Sequence, residues 1–232
     1  MKKSIIEENL KQTEIGYNLI AKKFSETRKH FWRSLEFIKE YVQDRDNILD
    51  FGCGNGRLIE LFKNKNINYT GVDPSAELIQ LAQENHKNNA NSFIKINSTK
   101  VSLPFNDKNF NSIYSIATFH HLPGKRHRAD VAKELYRVAK EDAWIIITVW
   151  DIWNNKKQRK NIFKNWIAKI IGQSKLDWND CQITFTDNEG KIFNRYHHAF
   201  TQKELEKVFY QAGFNIIKNK RIGGNLVLVG RK

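Results

Sequence analysis

Hydrophobic and polar positions change their period along this chain, and the changes predict its elements. Five short runs rich in β-branched and aromatic residues, Asn47–Phe51, Tyr69–Asp73, Ser92–Asn97, Phe110–Ala117 and Trp144–Trp150, predict strands. Between them Arg57–Lys65, Ala76–Lys87 and His127–Ala139 carry apolar residues at helical spacing. Strands alternating with helices predict βαβ units and a parallel sheet. The tail differs: a helix over Gln202–Ala212 precedes two apolar runs, Phe214–Arg221 and Leu226–Gly230, joined by Gly223-Gly224-Asn225. A parallel crossover needs a dozen residues or more, so these two strands form an antiparallel hairpin. Ahead of the first strand, Ile5–Phe24 and Phe31–Val42 predict two amphipathic helices.

The chain has 232 residues, 40% of them hydrophobic, which suits one α/β domain over 1–232. Residues 1–46 form its N-terminal helical segment, and 151–198, longer than a simple connection, an insertion on the substrate side. Cys53 and Cys181 are too few for a disulfide framework or a Cys-rich zinc site. The apolar run Trp144–Trp150 is far below the ~20 residues of a membrane helix, and Met1–Lys11 has no signal-peptide core. A soluble, cytoplasmic protein is expected, with no membrane partner. The net charge of +14 and pI near 9.7 favour phosphate-rich partners.

The first predicted strand ends in Asp50-Phe51-Gly52-Cys53-Gly54-Asn55-Gly56. Glycines in such a turn let backbone approach a ligand at the carboxyl end of a parallel strand. An acid two residues before the first glycine suits an ammonium group better than a phosphate. The second strand ends at Asp73, about 20 residues on, where a carboxylate can accept from both hydroxyls of a ribose. Asn97 ends the third strand. The cofactor-binding candidates are therefore Asp50, Gly52, Gly54, Gly56, Asp73 and Asn97. The plain alternative is a tight strand-to-helix turn with Asp73 capping the next helix.

With these residues the chain resembles the class I S-adenosylmethionine-dependent methyltransferases. That resemblance implies a Rossmann-like, mostly parallel seven-stranded sheet with an antiparallel C-terminal hairpin, helices on both faces, S-adenosylmethionine as cofactor, and Asn97, where the family usually has an acid, at the edge of its adenine. Three further elements are more particular: Tyr17–Arg28 with Trp32 beyond it, Ser115–His121, and Phe193–Phe200 containing Arg195-Tyr196-His197. They resemble the tRNA wobble-uridine methyltransferases that esterify a 5-carboxymethyl group. The narrower resemblance implies tRNA as substrate, a small zinc-binding activator protein as partner, and Arg28, His120, Arg195, Tyr196 and His197 as catalytic candidates. A carboxylate acceptor is already ionised at neutral pH, so the arginines would clamp it and the rings would orient the uridine. The Leu103-Pro104-Phe105 region is also common in enzymes that methylate quinones and other metabolites, so a small-molecule methyltransferase is the first alternative. A cofactor-binding RNA-associated module without turnover is the second.

Four histidines in two pairs raise the question of zinc, but adjacent side chains project differently and no Glu or Cys stands at ligand spacing, so no metal is expected. The positive charge is local: over Asp151–Lys175, seven basic residues oppose Asp151 alone. Lys156, Lys157, Arg159 and Lys160 in that stretch are the nucleic-acid-binding candidates. The same stretch repeats Ile162, Phe163, Trp166, Ile167, Ile170 and Ile171 at helical spacing. Such an apolar face covers the core by default; docking an activator or lying on a membrane are its other two uses.

Overall fold

The computed structural model describes residues 1–28, 30–87, 91–186, 189–190 and 192–232. In chain order its elements are α1 (Lys3–Thr27), β1 (Asn47–Phe51), β2 (Asn68–Asp73), α2 (Ala76–Asn85), β3 (Asn91–Lys95), β4 (Phe110–Ile116), α3 (Lys125–Val138) and β5 (Ala139–Trp150). There follow α4 (Lys156–Ile170), β6 (Asp180–Thr186), β7 (Ile192–His198), α5 (Gln202–Ala212), β8 (Asn215–Ile222) and β9 (Asn225–Arg231).

Side chains of the central strands serve two cores alternately. Leu49, Ile113, Ile145 and Ile147 join one, with Val131 and Leu135 of α3 and Leu205 and Phe209 of α5. Ile48, Tyr114 and Ile146 join the other, with Ile79 and Ala82 of α2. Helices therefore cover both faces, which is why these strands read as nearly continuous apolar runs. The seven strands run in the order β3-β2-β1-β4-β5-β9-β8. The first five are parallel, and β9 pairs antiparallel with both β5 and β8. Chain order reverses between β1 and β4, so a crevice opens there beyond the strands' carboxyl ends.

The structure departs from the expected elements at several places. Arg33–Tyr41 and Arg57–Phe62 are 3₁₀ helices rather than α-helices. Leu35, Ile38 and Tyr41 recur every third residue, the period of a 3₁₀ turn, and Leu35 and Ile38 are fully buried. β3 stops at Lys95 because the Asn97 side chain turns back on Thr99, accepting from its amide and its hydroxyl. β5 starts five residues early, since Ala139 pairs with Phe110.

The insertion holds, besides α4, a separate β6–β7 hairpin that the hydrophobic pattern did not predict. Positions 187, 188 and 191, within it, lie outside the described residues. Polar residues fill much of these strands, so their alternation is weak. The apolar face of α4 does not chiefly cover the core. Ile162 is fully buried and Trp166 packs beside it, but Phe163, Ile167, Ile170 and Ile171 are 43 to 74% exposed. Among the described residues no helix is long and apolar enough to cross a membrane.

Candidate cofactor and acceptor site

A cavity of about 1320 Å³, counting its open mouth, lies at the crevice between β1 and β4. Its floor is the glycine turn. Gly52, Gly54 and Gly56 all have positive φ, at 82°, 55° and 78°, a region that disfavours side chains. A Cβ on Gly52 would run into the Thr118 side chain, whose hydroxyl donates to the Gly52 carbonyl. Gly52 and Gly54 line the cavity; Gly56, expected to do so, does not. A Cβ there would meet His86 and Phe93, so Gly56 serves the entry into the 3₁₀ helix and its packing.

Asp73 lines the cavity and holds the turn's shape. Its Oδ2 accepts from the Gly54 amide at 2.9 Å and its Oδ1 from the Ser75 amide at 2.9 Å. Ser75, not Asp73, caps α2. Each oxygen has a second lone pair left for another donor. Burial pushes the Asp73 carboxyl up to about 6, against the pull of those two amides. Asp50 is buried too, with Oδ2 accepting from the Tyr69 hydroxyl while Oδ1 has no partner. Burial raises its carboxyl to about 7. An acid held this way gains most from a cation, the ligand its position in the sequence suggested. Asn97 lines the cavity as well, with its amide oxygen committed to Thr99.

Helix α1 forms the opposite wall through Leu10, Glu14, Tyr17, Phe24 and Arg28, a stripe at helical spacing. It is tied down at the rim, where Asn18 accepts from the Ser75 hydroxyl and Asn55 donates to Ser25. Arg28 and Arg195 therefore meet in one cavity although 167 positions separate them. Neither forms an ion pair among the described residues. Arg195 donates to the Tyr17 hydroxyl at 2.9 Å, and that hydroxyl lies 2.8 Å from His121 Nε2. The other ring nitrogen of His121 faces the Tyr196 carbonyl at 3.0 Å, so the chain of hydrogen bonds runs Arg195 to Tyr17 to His121 to backbone.

His121, rather than His120, lines the cavity. His120, Tyr196 and His197, expected at the acceptor, are fully buried behind it, with the His120 and His197 rings 5.2 Å apart. The adjacent pair does converge, contrary to the expectation that neighbouring rings project apart: ligand atoms of His120, His121 and His197 lie within 4.8 Å of one another. His121 has both nitrogens engaged, and His120 and His197 each keep one free Nε2. Two open nitrogens beside the Arg195 guanidinium are a poor donor set for a dication. Burial and that guanidinium hold His121 down at about 3, and burial keeps His120 and His197 well below the usual histidine range. Lys156, Lys157, Arg159 and Lys160 are exposed on the first turns of α4 and none lines the cavity.

Sequence reasoning missed Arg57, which lines the cavity with its guanidinium 3.8 Å above the Trp32 ring, and gave Trp150 at the cavity edge no role. A basic residue directly after the glycine turn was the available signal.

Residues 49–147 match the model of the methyltransferase domain family. The same sheet recurs, at a TM-score of 0.66 and 18% identity, in the solved complex between the Haloferax volcanii Trm112 methyltransferase activator and its partner chain, with 94% of this chain and 96% of that one covered. The fold is that of the class I methyltransferases. S-adenosylmethionine is its cofactor, and the orphan oxygen of Asp50, the remaining acceptor capacity of Asp73 and the glycine turn fit it. The tRNA (carboxymethyluridine(34)-5-O)-methyltransferase of Arabidopsis thaliana is 32% identical over 134 residues, 58% of this chain and 31% of that protein. The chain thus spans under a third of that relative. The enzyme of the same name from Schizosaccharomyces pombe is 24% identical, with 88% of each chain covered.

Proposed function

We propose that this methyltransferase esterifies the carboxymethyl group of a modified wobble uridine in cytoplasmic tRNA. The observation that carries the proposal is the meeting of Arg28 and Arg195, both without ion pairs among the described residues, in the cavity that also holds Gly52, Gly54 and Asp73. Two such guanidiniums suit an anionic acceptor, one clamping its carboxylate and the other able to hold the same group or a neighbouring phosphate. Bound S-adenosylmethionine supplies an electrophilic methyl group on a sulfonium. The protein's task is then to align a carboxylate oxygen with it and exclude water.

The histidines support orientation over proton abstraction. A ring held at about 3, like His121, is neutral at pH 7 but a weak base. A carboxylate needs no base, whereas a hydroxyl acceptor would. The names of the Arabidopsis and fission-yeast relatives point to the same acceptor. The likeness to the Haloferax complex supports a small activator protein as partner. Exposed cations on α4 suit the tRNA backbone: four of them occupy the positive end of a helix dipole, where they bring the helix no stability.

The test is single-turnover methylation of carboxymethyluridine-bearing tRNA from pH 5.5 to 8.5 at saturating cofactor. A rate without a limb near ~6.5 agrees with a carboxylate acceptor. A steep rise there that vanishes in His120→Ala or His121→Ala would sink it. Methyl transfer to a metabolite extract but not to tRNA would favour the small-molecule alternative.

A further inference from the structure

Helix α3 borders two cavities. His127 and Val131 line the one already described, while Arg128 and Ala129 line a second of about 1210 Å³, counting its open mouth. Strand β7 divides its side chains in the same way, with Arg195 on the first and His198 on the second. The two cavities have no lining residue in common.

The positive end of α3 meets the second cavity uncovered. The first amides of an α-helix have no acceptor within it, and Gly124, which caps α3, brings no side chain to fill that role. The first turn holds no acid, and Lys125 and Arg126 stand there, where cations bring a helix no stability. Arg128 follows at 2% exposure, lining the cavity, and its Nε–H has no acceptor. A buried donor left in this way is costly until something accepts from it.

The two carboxylates of this cavity are already engaged. Asp177 holds the Met1 ammonium at 3.2 Å, and Glu204 lies 2.8 Å from His198 and 3.5 Å from Arg128. Among the described residues Lys125 has no ion pair, and Arg126 has only a long one, to Asp130 at 4.0 Å. The balance therefore favours an anion, and free amides at a helix start suit a phosphate. Trp178 lines the same cavity with 52% of its surface exposed. A large ring left open beside free cations suits a flat aromatic group that carries the anion with it.

We propose that the second cavity binds a nucleotide, with its phosphate at the start of α3 between Lys125 and Arg126 and its base against Trp178. An RNA strand and a free nucleotide present the same chemistry there. The site stands on its own residues, so it holds whether or not the acceptor in the first cavity is a carboxymethyluridine.

Calorimetry in saturating S-adenosylhomocysteine, which keeps the cofactor site filled, tests the assignment with uridine 5′-monophosphate, inorganic phosphate and a single-stranded oligouridylate. Lys125→Gln combined with Arg126→Gln should weaken the mononucleotide tenfold or more. Trp178→Ala should weaken it roughly tenfold and leave inorganic phosphate within twofold. Arg195→Ala, in the first cavity, should leave the mononucleotide within twofold. Arg128 also supports Glu204, so it is left intact. Loss of the oligouridylate in the double variant identifies an RNA strand as the ligand, and loss confined to the mononucleotide identifies a free one. Unchanged affinity for both in the double variant would overturn the site, as would a native protein that binds neither. Full affinity in Trp178→Ala would leave bare charge attraction and overturn the nucleotide. An equal loss in Arg195→Ala would move the ligand to the first cavity and overturn it as well.

Discussion

Two groups of acids in this protein behave in opposite ways. At the cavity, Asp50 and Asp73 are raised by burial to about 7 and about 6, and Asp50 keeps an oxygen with no partner. Beneath the insertion, Asp180 and Glu204 face the two nitrogens of His198 at 2.6 and 2.8 Å, and Arg128 adds a contact to Glu204 at 3.5 Å. There the hydrogen bonds and charge of His198 outweigh burial, and both acids lie below the usual carboxylate range. The second group is a closed network that fastens β6 and β7 to α5. The first is open, and a cationic ligand would offset its cost. Satisfaction, rather than burial or acidity, separates the scaffold from the site.

Substitution should break this contrast most visibly at Asp73. Asp73→Ala removes the two ribose contacts expected of it and the anchor of the glycine turn, so cofactor binding should weaken by roughly 3–5 kcal/mol and fold stability should fall by less. Near-native affinity by calorimetry would take Asp73 out of the site. Asp180→Ala should do the reverse, destabilising the fold by about 3–5 kcal/mol in urea unfolding because His198 loses a buried partner. Equal loss of cofactor affinity in both variants would dissolve the distinction.

The acceptor side should respond next. Arg195→Ala should slow single-turnover methyl transfer more than tenfold, over ~1.4 kcal/mol, with S-adenosylhomocysteine still bound. Full activity would show that something else holds the acceptor.

Acidity sharpens the comparison further. A carboxyl raised in the folded state favours the protonated fold, so Asp50 and Asp73 burden the free protein increasingly as pH climbs from about 4 toward 7. Asp180 and Glu204, held low, stabilise above the unfolded carboxyl range and lose that contribution only as pH falls through their folded values. A cationic cofactor needs Asp50 ionised. The thermal shift produced by S-adenosylmethionine should therefore grow with pH through about 7, and a shift that shrinks would contradict the pairing. The smallest effect belongs to α4: neutralising Lys156, Lys157, Arg159 and Lys160 should lower the log-log salt slope of tRNA binding by up to about 0.9 per lost contact on duplex-like RNA. An unchanged slope would make them a solvated face.

The sequence by itself determined the strand-turn-helix frame, because periodicity and turn chemistry are local. Asn47–Phe51 and Gln202–Ala212 fall where the pattern put them, and the short Gly223-Gly224 link forces the final hairpin. That Gly52, Gly54 and Asp73 come together at one cavity was legible for the same reason, each standing at or just beyond a strand end whose geometry constrains it. Tertiary structure decided the rest. Arg28 and Arg195 share a cavity because α1 crosses the crevice and β7 packs beside it, a non-local arrangement that spacing does not encode. Which of two adjacent histidines lines the cavity depended on the 3₁₀ turn Phe119–His121, which sets His120 behind the cavity and His121 at its wall. Whether an acid is a strut or a site was also settled in space: Asp180 met a histidine 18 positions away, and one oxygen of Asp50 met nothing.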